Sequence, residues 1–261
     1  MRQIYVLFSF VLAILFAGCA GGSIKPEVMA KHMRVLTPKI DNQKVPVVFF
    51  FQGSGGTNNS ANRWSTFFFK HGVASIMIDN AKVRGYKKLY GANYEADLSS
   101  ALAVLSMDPN NNLDLTRYAV MGFSRGGTMA MKSDYFLKEG QPKPDLIFAL
   151  YPGDTKGCPN SHGDKTDVHI FYGELDDWGG YKGIRNTCKG TASYDDKVSF
   201  HLLKDAHHSY DGRDYEKWTC CGGRTFTSEP NYEALYETKK IIKEAMVMKW
   251  NVKELNILGK K

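Results

Sequence analysis

Tyr118-Ala119-Val120-Met121-Gly122-Phe123-Ser124-Arg125-Gly126-Gly127-Thr128-Met129-Ala130-Met131 decides the reading of this chain. The stretch opens as a short apolar run of strand character. It passes through a glycine-flanked turn and continues with helical spacing, which predicts a helix to about Lys138. Gly122-x-Ser124-x-Gly126 at the turn is the pattern of a nucleophile elbow. A serine held there in an unfavourable backbone conformation crowds the residues two positions away, so those residues must lack a Cβ. The pentapeptide alone is a weak signal in a chain with 25 glycines. The strand before it and the helix after it give it weight.

Further apolar runs surround this centre. Val47-Val48-Phe49-Phe50-Phe51 is continuous, as suits a strand buried on both faces of a parallel sheet. It ends in Gln52-Gly53-Ser54-Gly55-Gly56, where the backbone can approach another group closely. Ala74 to Asp79, Asp145 to Tyr151, Val168 to Gly173 and Val198 to Leu203 read as strands. Tyr94 to Met107 and Asn231 to Trp250 read as helices, with Leu235, Ile241, Ile242, Ala245 and Met246 as the inner face of the second. Phe67-Phe68-Phe69 reads as core packing. Strands alternating with helices predict an α/β architecture with a mostly parallel central sheet flanked by helices. The segment from Pro152 to Asp167 is too short for a large cap domain, which leaves an open cleft.

The 261 residues are 43% hydrophobic and 23% charged, which suits one domain with a sizeable core and excludes a disordered or repeat architecture. The net charge of +7 is spread thinly, with only short pairs such as Lys87-Lys88. That pattern predicts a solvated surface and no nucleic-acid partner. Met1-Arg2 followed by the apolar run Ile4 to Ala17 reads as a signal peptide, too short to span a bilayer. Leu15-Phe16-Ala17-Gly18-Cys19 resembles a bacterial lipobox. The expected organisation is therefore a lipoprotein signal over 1–18, a tether and extension over 19–40, and the folded domain over 41–261. Cys19 would carry lipid and hold the chain on the bacterial envelope, facing periplasm or exterior. Secretion after cleavage near Ala17 or Ala20 is the other reading. Cys158, Cys188, Cys220 and Cys221 remain, an even number that predicts disulfides whose connectivity stays open.

A serine hydroxyl needs an imidazole to take its proton and an acid to orient that imidazole. Two later strand ends supply them. Gly173-Glu174-Leu175-Asp176-Asp177-Trp178 follows one strand, and Ala206-His207-His208-Ser209-Tyr210-Asp211 follows the next. Open parallel sheets place their sites at these C-terminal strand ends.

Together with Gly122-Phe123-Ser124-Arg125-Gly126-Gly127, these motifs resemble the dienelactone hydrolase family of α/β-hydrolases, over about Val45 to Trp250. The resemblance implies Ser124 as nucleophile, Asp176 as acid and His208 as base, with Asp177 and His207 as near alternatives. It also implies an oxyanion hole from the backbone N–H groups of Arg125 and Ser54. The namesake uses cysteine at the nucleophile position, so Ser124 points to a general esterase. Expected partners are a small-molecule or polymer-borne ester and the membrane, through the lipid. No cofactor and no metal are expected; His162, Asp164 and His169 lack metal-ligand spacing. A peptidase of the same fold and a non-catalytic binding lipoprotein are the competing readings. Tyr151, Trp178 and Tyr210 are candidate cleft aromatics.

Overall fold

A computed structural model describes residues 24–40, 43–56, 59–87, 94–108, 111–153, 165–178, 197–220 and 223–255. Cys19, Ala20 to Ser23, Cys158, His162, Asp164, Cys188 and Cys221 lie outside these residues, and the side chain of Cys220 does as well. The lipidation, tether and disulfide expectations therefore fall outside the described structure.

Seven strands form one sheet: β1 (Met33–Leu36), β2 (Val45–Phe51), β3 (Ala74–Ile78), β4 (Leu113–Phe123), β5 (Leu146–Leu150), β6 (Asp167–Gly173) and β7 (Val198–Leu203). Their order is β1-β3-β2-β4-β5-β6-β7. Every neighbouring pair is parallel except β1 with β3. The continuous apolar runs explain this. β2, β3 and β5 are buried along their whole length, as strands covered on both faces must be. Pro46 stands near the start of β2, where the register against β4 shifts, a position where a missing N–H costs little.

Helices cover both faces. On one face α1 (Pro26–Lys31), α3 (Asp97–Ser106) and α4 (Arg125–Ala130) pack over Phe49, Ile76, Val120 and Ile147. On the other, α2 (Asn59–Lys70) and α5 (Tyr232–Trp250) pack over Phe50, Met121, Phe148 and Phe171. Leu235, Ile242, Ala245 and Met246 of α5 are buried as expected, and Ile241 is partly so. The Asn231 side chain accepts the Ala234 N–H at 2.9 Å and starts that helix. Phe68 is fully buried between Phe50 and Trp64. A separate antiparallel hairpin, β8 (Glu216–Cys220) with β9 (Arg224–Ser228), stands between the sheet's last strand and α5. No connection between strands is long enough to hold a large cap.

Two expectations are corrected. The helix after Ser124 ends at Ala130, not near Lys138; a 3-10 turn, Ser133–Phe136, follows. The Ser133 hydroxyl takes the Ala130 carbonyl at 2.8 Å, in competition with the helical ladder. The folded unit also begins before residue 41. Met29 is fully buried, and β1 adds an edge strand to β3, so α1 and β1 belong to the domain. β1 has four residues and exposes most of them, so it leaves no alternating pattern in the sequence.

β2 is the switch point of the sheet. The chain leaves it on one side to build β3 and returns on the other to build β4. Ligand sites in open α/β sheets lie outside the carboxyl ends of strands at such a point.

Candidate active site

Ser124 follows the last residue of β4 with φ 51° and ψ −121°, a left-handed conformation that only a fixed surround sustains. Its carbonyl accepts the Gly127 N–H at 2.8 Å, and its own N–H donates to the Leu150 carbonyl at 3.0 Å. The flanking glycines are steric requirements. A Cβ on Gly122 would stand 2.0 Å from the Gly126 carbonyl oxygen, and one on Gly126 would stand 2.2 Å from that of Phe51. Gly126 thus seats the elbow directly on the end of β2.

The turn after β2 comes against the serine from the other side. A Cβ on Gly53 would lie 3.5 Å from Ser124 Cβ. The turn is closed by the Gly56 N–H donating to the Gly53 carbonyl at 3.0 Å. A buried polar network holds its first residue. Gln52 N–H donates to Asn80 Oδ1 at 3.2 Å, and the Tyr94 hydroxyl donates to the Gln52 carbonyl at 2.5 Å. Asn80 in turn donates to Asp97 at 2.7 Å, and Arg84 forks onto both oxygens of the same carboxylate. Burial pushes the Asp97 carboxyl upward, against the Arg84 and Asn80 hydrogen bonds that favour its charge. Nothing local in the sequence marks Asn80, Arg84, Tyr94 and Asp97 as a set, because they meet only through the fold.

His208 Nε2 lies 2.9 Å from Ser124 Oγ, and its Nδ1 lies 2.9 Å from Asp176 Oδ2. The side chains of His208 and Asp176 are 3% and 2% exposed, so the pair sits out of bulk water. Asp176 accepts a second bond through Oδ1, from the Trp178 backbone N–H at 2.9 Å. The strand-ending Gly173 lets the two loops meet, since a Cβ there would stand 2.1 Å from the Ala206 carbonyl oxygen. Asp177 points elsewhere and accepts the Thr227 N–H of β9 at 3.2 Å. His207 faces Glu229 at 3.8 Å. Ser124, Asp176 and His208 are therefore brought together, and Asp177 and His207 are not. Arg125 opens α4 directly after the serine, and Ser54 follows Gly53 in the turn.

Tyr151 and Tyr210 are not cleft aromatics; both are fully buried. Tyr151 sets its ring edge-on to His208 at 4.9 Å between centroids. Its hydroxyl donates to Asp211 at 2.6 Å, and the other oxygen of Asp211 accepts from Trp64 at 2.7 Å. Arg63 donates to the Asp211 carbonyl at 2.8 Å. Asp211 thereby pins the loop carrying His208 onto α2. Burial raises its carboxyl, opposed by the hydrogen bonds from Tyr151 and Trp64. Trp178 remains partly exposed beside His208, at 5.9 Å between centroids. Trp218 and Phe226 of the hairpin, which sequence reasoning did not single out, join it there. His169 belongs to another cluster: its Nδ1 lies 3.1 Å from His201 Nε2, and burial lowers both rings to about 4. Among the described residues, no group of three or more His, Cys, Asp or Glu side chains is arranged to hold a metal.

No family model matches the chain, and no curated protein matches its sequence. Solved structures match its fold. Esterase Est2 of the Planctomycetes species Thermogutta terrifontis, bound to butyrate, aligns with a TM-score of 0.61 at 15% identity, over 86% of this chain and 91% of the esterase. A candidate dienelactone hydrolase from Klebsiella pneumoniae aligns at 0.59 and 13%, over 84% and 92%. Est1E of Butyrivibrio proteoclasticus, bound to ferulic acid, aligns at 0.55 and 16%, over 83% and 94%. At such identities the likeness speaks to architecture: the chain has the α/β-hydrolase fold.

Proposed function

We propose that this chain is a serine carboxylester hydrolase working through an acyl-enzyme, of the dienelactone hydrolase-like kind. One observation carries the reading: a serine at φ 51° faces a buried histidine at 2.9 Å, which faces a buried aspartate at 2.9 Å. A static relay of this kind is the arrangement nucleophilic catalysis needs. Neighbouring structures that are esterases support it by analogy of fold.

In this reading Ser124 Oγ attacks the ester carbonyl carbon as His208 Nε2 takes its proton. Asp176 holds the imidazole through Nδ1 and stabilises the imidazolium that forms. The carbonyl oxygen becomes an oxyanion, met by the backbone N–H groups of Arg125 and Ser54. Each such donor contributes about 3 kcal/mol to the transition state. His208 then passes its proton to the leaving alkoxide, and the alcohol departs. Water, deprotonated by His208, attacks the acyl-serine, and His208 returns that proton to the departing Ser124 Oγ as the carboxylic acid is released. The proton balance closes within the chain's own residues.

The test is covalent labelling. Mature protein is expected to react with a fluorophosphonate and to hydrolyse ethyl acetate in a pH-stat. Ser124→Ala is expected to lose labelling entirely and turnover by about 10⁴-fold or more, with an unchanged circular dichroism spectrum. Absence of both labelling and turnover in the wild type overturns the reading. We further propose that the chain acts on the bacterial envelope, held by lipid on Cys19; the Leu15 to Cys19 motif supports this. Cys19→Ala is expected to move the protein from the membrane to the soluble fraction, and retention on membranes would count against the anchor.

A further inference from the structure

The β8–β9 hairpin follows the His208 loop and carries two aromatic residues back over the site. Trp178, Trp218 and Phe226 form one cluster, with centroid separations of 4.1 Å (Trp178–Phe226), 5.9 Å (Trp218–Phe226) and 6.1 Å (Trp178–Trp218). Phe226 is buried at 3% exposure, whereas Trp178 and Trp218 are partly exposed. Both tryptophans adjoin the His208 ring, at 5.9 and 6.4 Å. The cluster is tied to the reacting groups. The carboxylate that orients His208 also accepts the Trp178 backbone N–H. Asp177 accepts the Thr227 N–H, and His208 pairs with Ser228 as an isolated bridge.

We propose that this cluster is a substrate subsite for a planar aromatic ring on the alcohol side of the ester, a refinement that rests on the ester-hydrolase reading. The side follows from proton transfer. His208 Nε2 must reach the leaving oxygen, so the alcohol group departs along the imidazole and past the two indoles beside it. The ring type follows from the surface. Two indole faces tilted by 33° offer offset and edge contacts to another π system, which a saturated ring of the same size cannot use. None of the three side chains carries charge, so an anionic alcohol gains nothing there.

The probes are benzyl acetate, cyclohexylmethyl acetate and ethyl acetate, whose alcohols are of similar basicity. In each, the acetyl group passes to Ser124 Oγ, the alcohol leaves with the proton from His208, and water releases acetic acid. Wild type is expected to favour benzyl over cyclohexylmethyl acetate about tenfold in kcat/KM, chiefly through KM. Trp218→Leu is expected to bring that ratio close to one, while Tyr215→Leu, an exposed change just before the same hairpin, leaves it in place. Equal rates for the two ring esters in the wild type overturn the proposal, as does a Trp218→Leu loss shared equally by all three esters. If no ester turns over, the hydrolase reading fails separately. The subsite is then judged by benzyl alcohol binding to Ser124→Ala, read by tryptophan fluorescence. Quenching that disappears in Ser124→Ala/Trp218→Leu supports it, and no quenching, or quenching unchanged by the second substitution, refutes it.

Discussion

The site has two walls built on different principles. On the β2 and β4 side, backbone meets backbone: Gly126 touches the end of β2, Gly53 lies against Ser124, and a buried carboxylate network fixes the Gln52 peptide. On the hairpin side, large side chains meet one another across a separate two-stranded element. At Gly122 and Gly126 the first wall has no room for a methyl group, and it holds Ser124 in place. The second presents a surface that side-chain replacement can reshape without moving the serine. Under the proposed function, chemistry and substrate choice would thereby fall to elements with different tolerance for change.

Gly126→Ala strikes the first wall hardest. Its Cβ would stand 2.2 Å from the Phe51 carbonyl oxygen, so β2 and the elbow must part. A displacement of this order costs about 10²-fold in rate, and the overpacking about 3 kcal/mol in stability. Fluorophosphonate labelling rate and the urea midpoint check both; a normal rate in Gly126→Ala would break the contrast. Tyr94→Phe is gentler. It removes the hydroxyl that holds the Gln52 carbonyl and little else. The expected outcome is a kcat for ethyl acetate lower by about 3- to 10-fold with KM unchanged, and a stability loss of about 1 kcal/mol. Loss of stability with kcat intact would show that the network supports the fold and not the turn. Asp177→Ala is the smallest. It frees the Thr227 N–H at an exposed position, at a cost below about 0.5 kcal/mol. Labelling of Ser124 is expected at the wild-type rate, while the preference among ring esters shifts by about twofold as the hairpin loosens. A large loss of labelling would instead move the acid from Asp176 to Asp177.

The first wall was largely legible in the sequence, and the second was not. Glycine spacing around Ser124 records backbone crowding directly, and apolar runs record strands covered on both faces. Asp176 and His208 stand at fixed offsets from strand ends, where the fold leaves little choice. The clamp on Gln52 was invisible because Asn80, Arg84, Tyr94 and Asp97, spread along the one connection from β3 to β4, meet Gln52 of the β2 turn through tertiary contact alone. Trp218 and Phe226 lie on a short hairpin whose strands alternate weakly, so the stretch reads only as an elaboration after the histidine. Tyr151 and Tyr210 misled for a related reason. An aromatic residue just after a strand, like Tyr151, or in the loop after the histidine, like Tyr210, is equally suited to line a cleft or to pack beneath it, and their hydroxyls find buried partners in Asp211 and Thr238.

The direction of β1 has a consequence for orientation. β1 runs opposite to the other strands, and its first residue, Met33, pairs with Ile78 at the C-terminal end of β3. The chain therefore enters the sheet at the end where Ser124 sits. His32 shares a groove there with Gly55 and Gly56 of the turn beside the serine. Under the proposed anchor, seven peptide links separate Cys19 from Pro26, a leash of at most about 25 Å. Under that proposal such a leash would let the mouth of the cleft lie next to the bilayer. Esters embedded in or lying along the envelope would then meet the serine at high local concentration, while dissolved esters would have to enter the narrow space between protein and membrane.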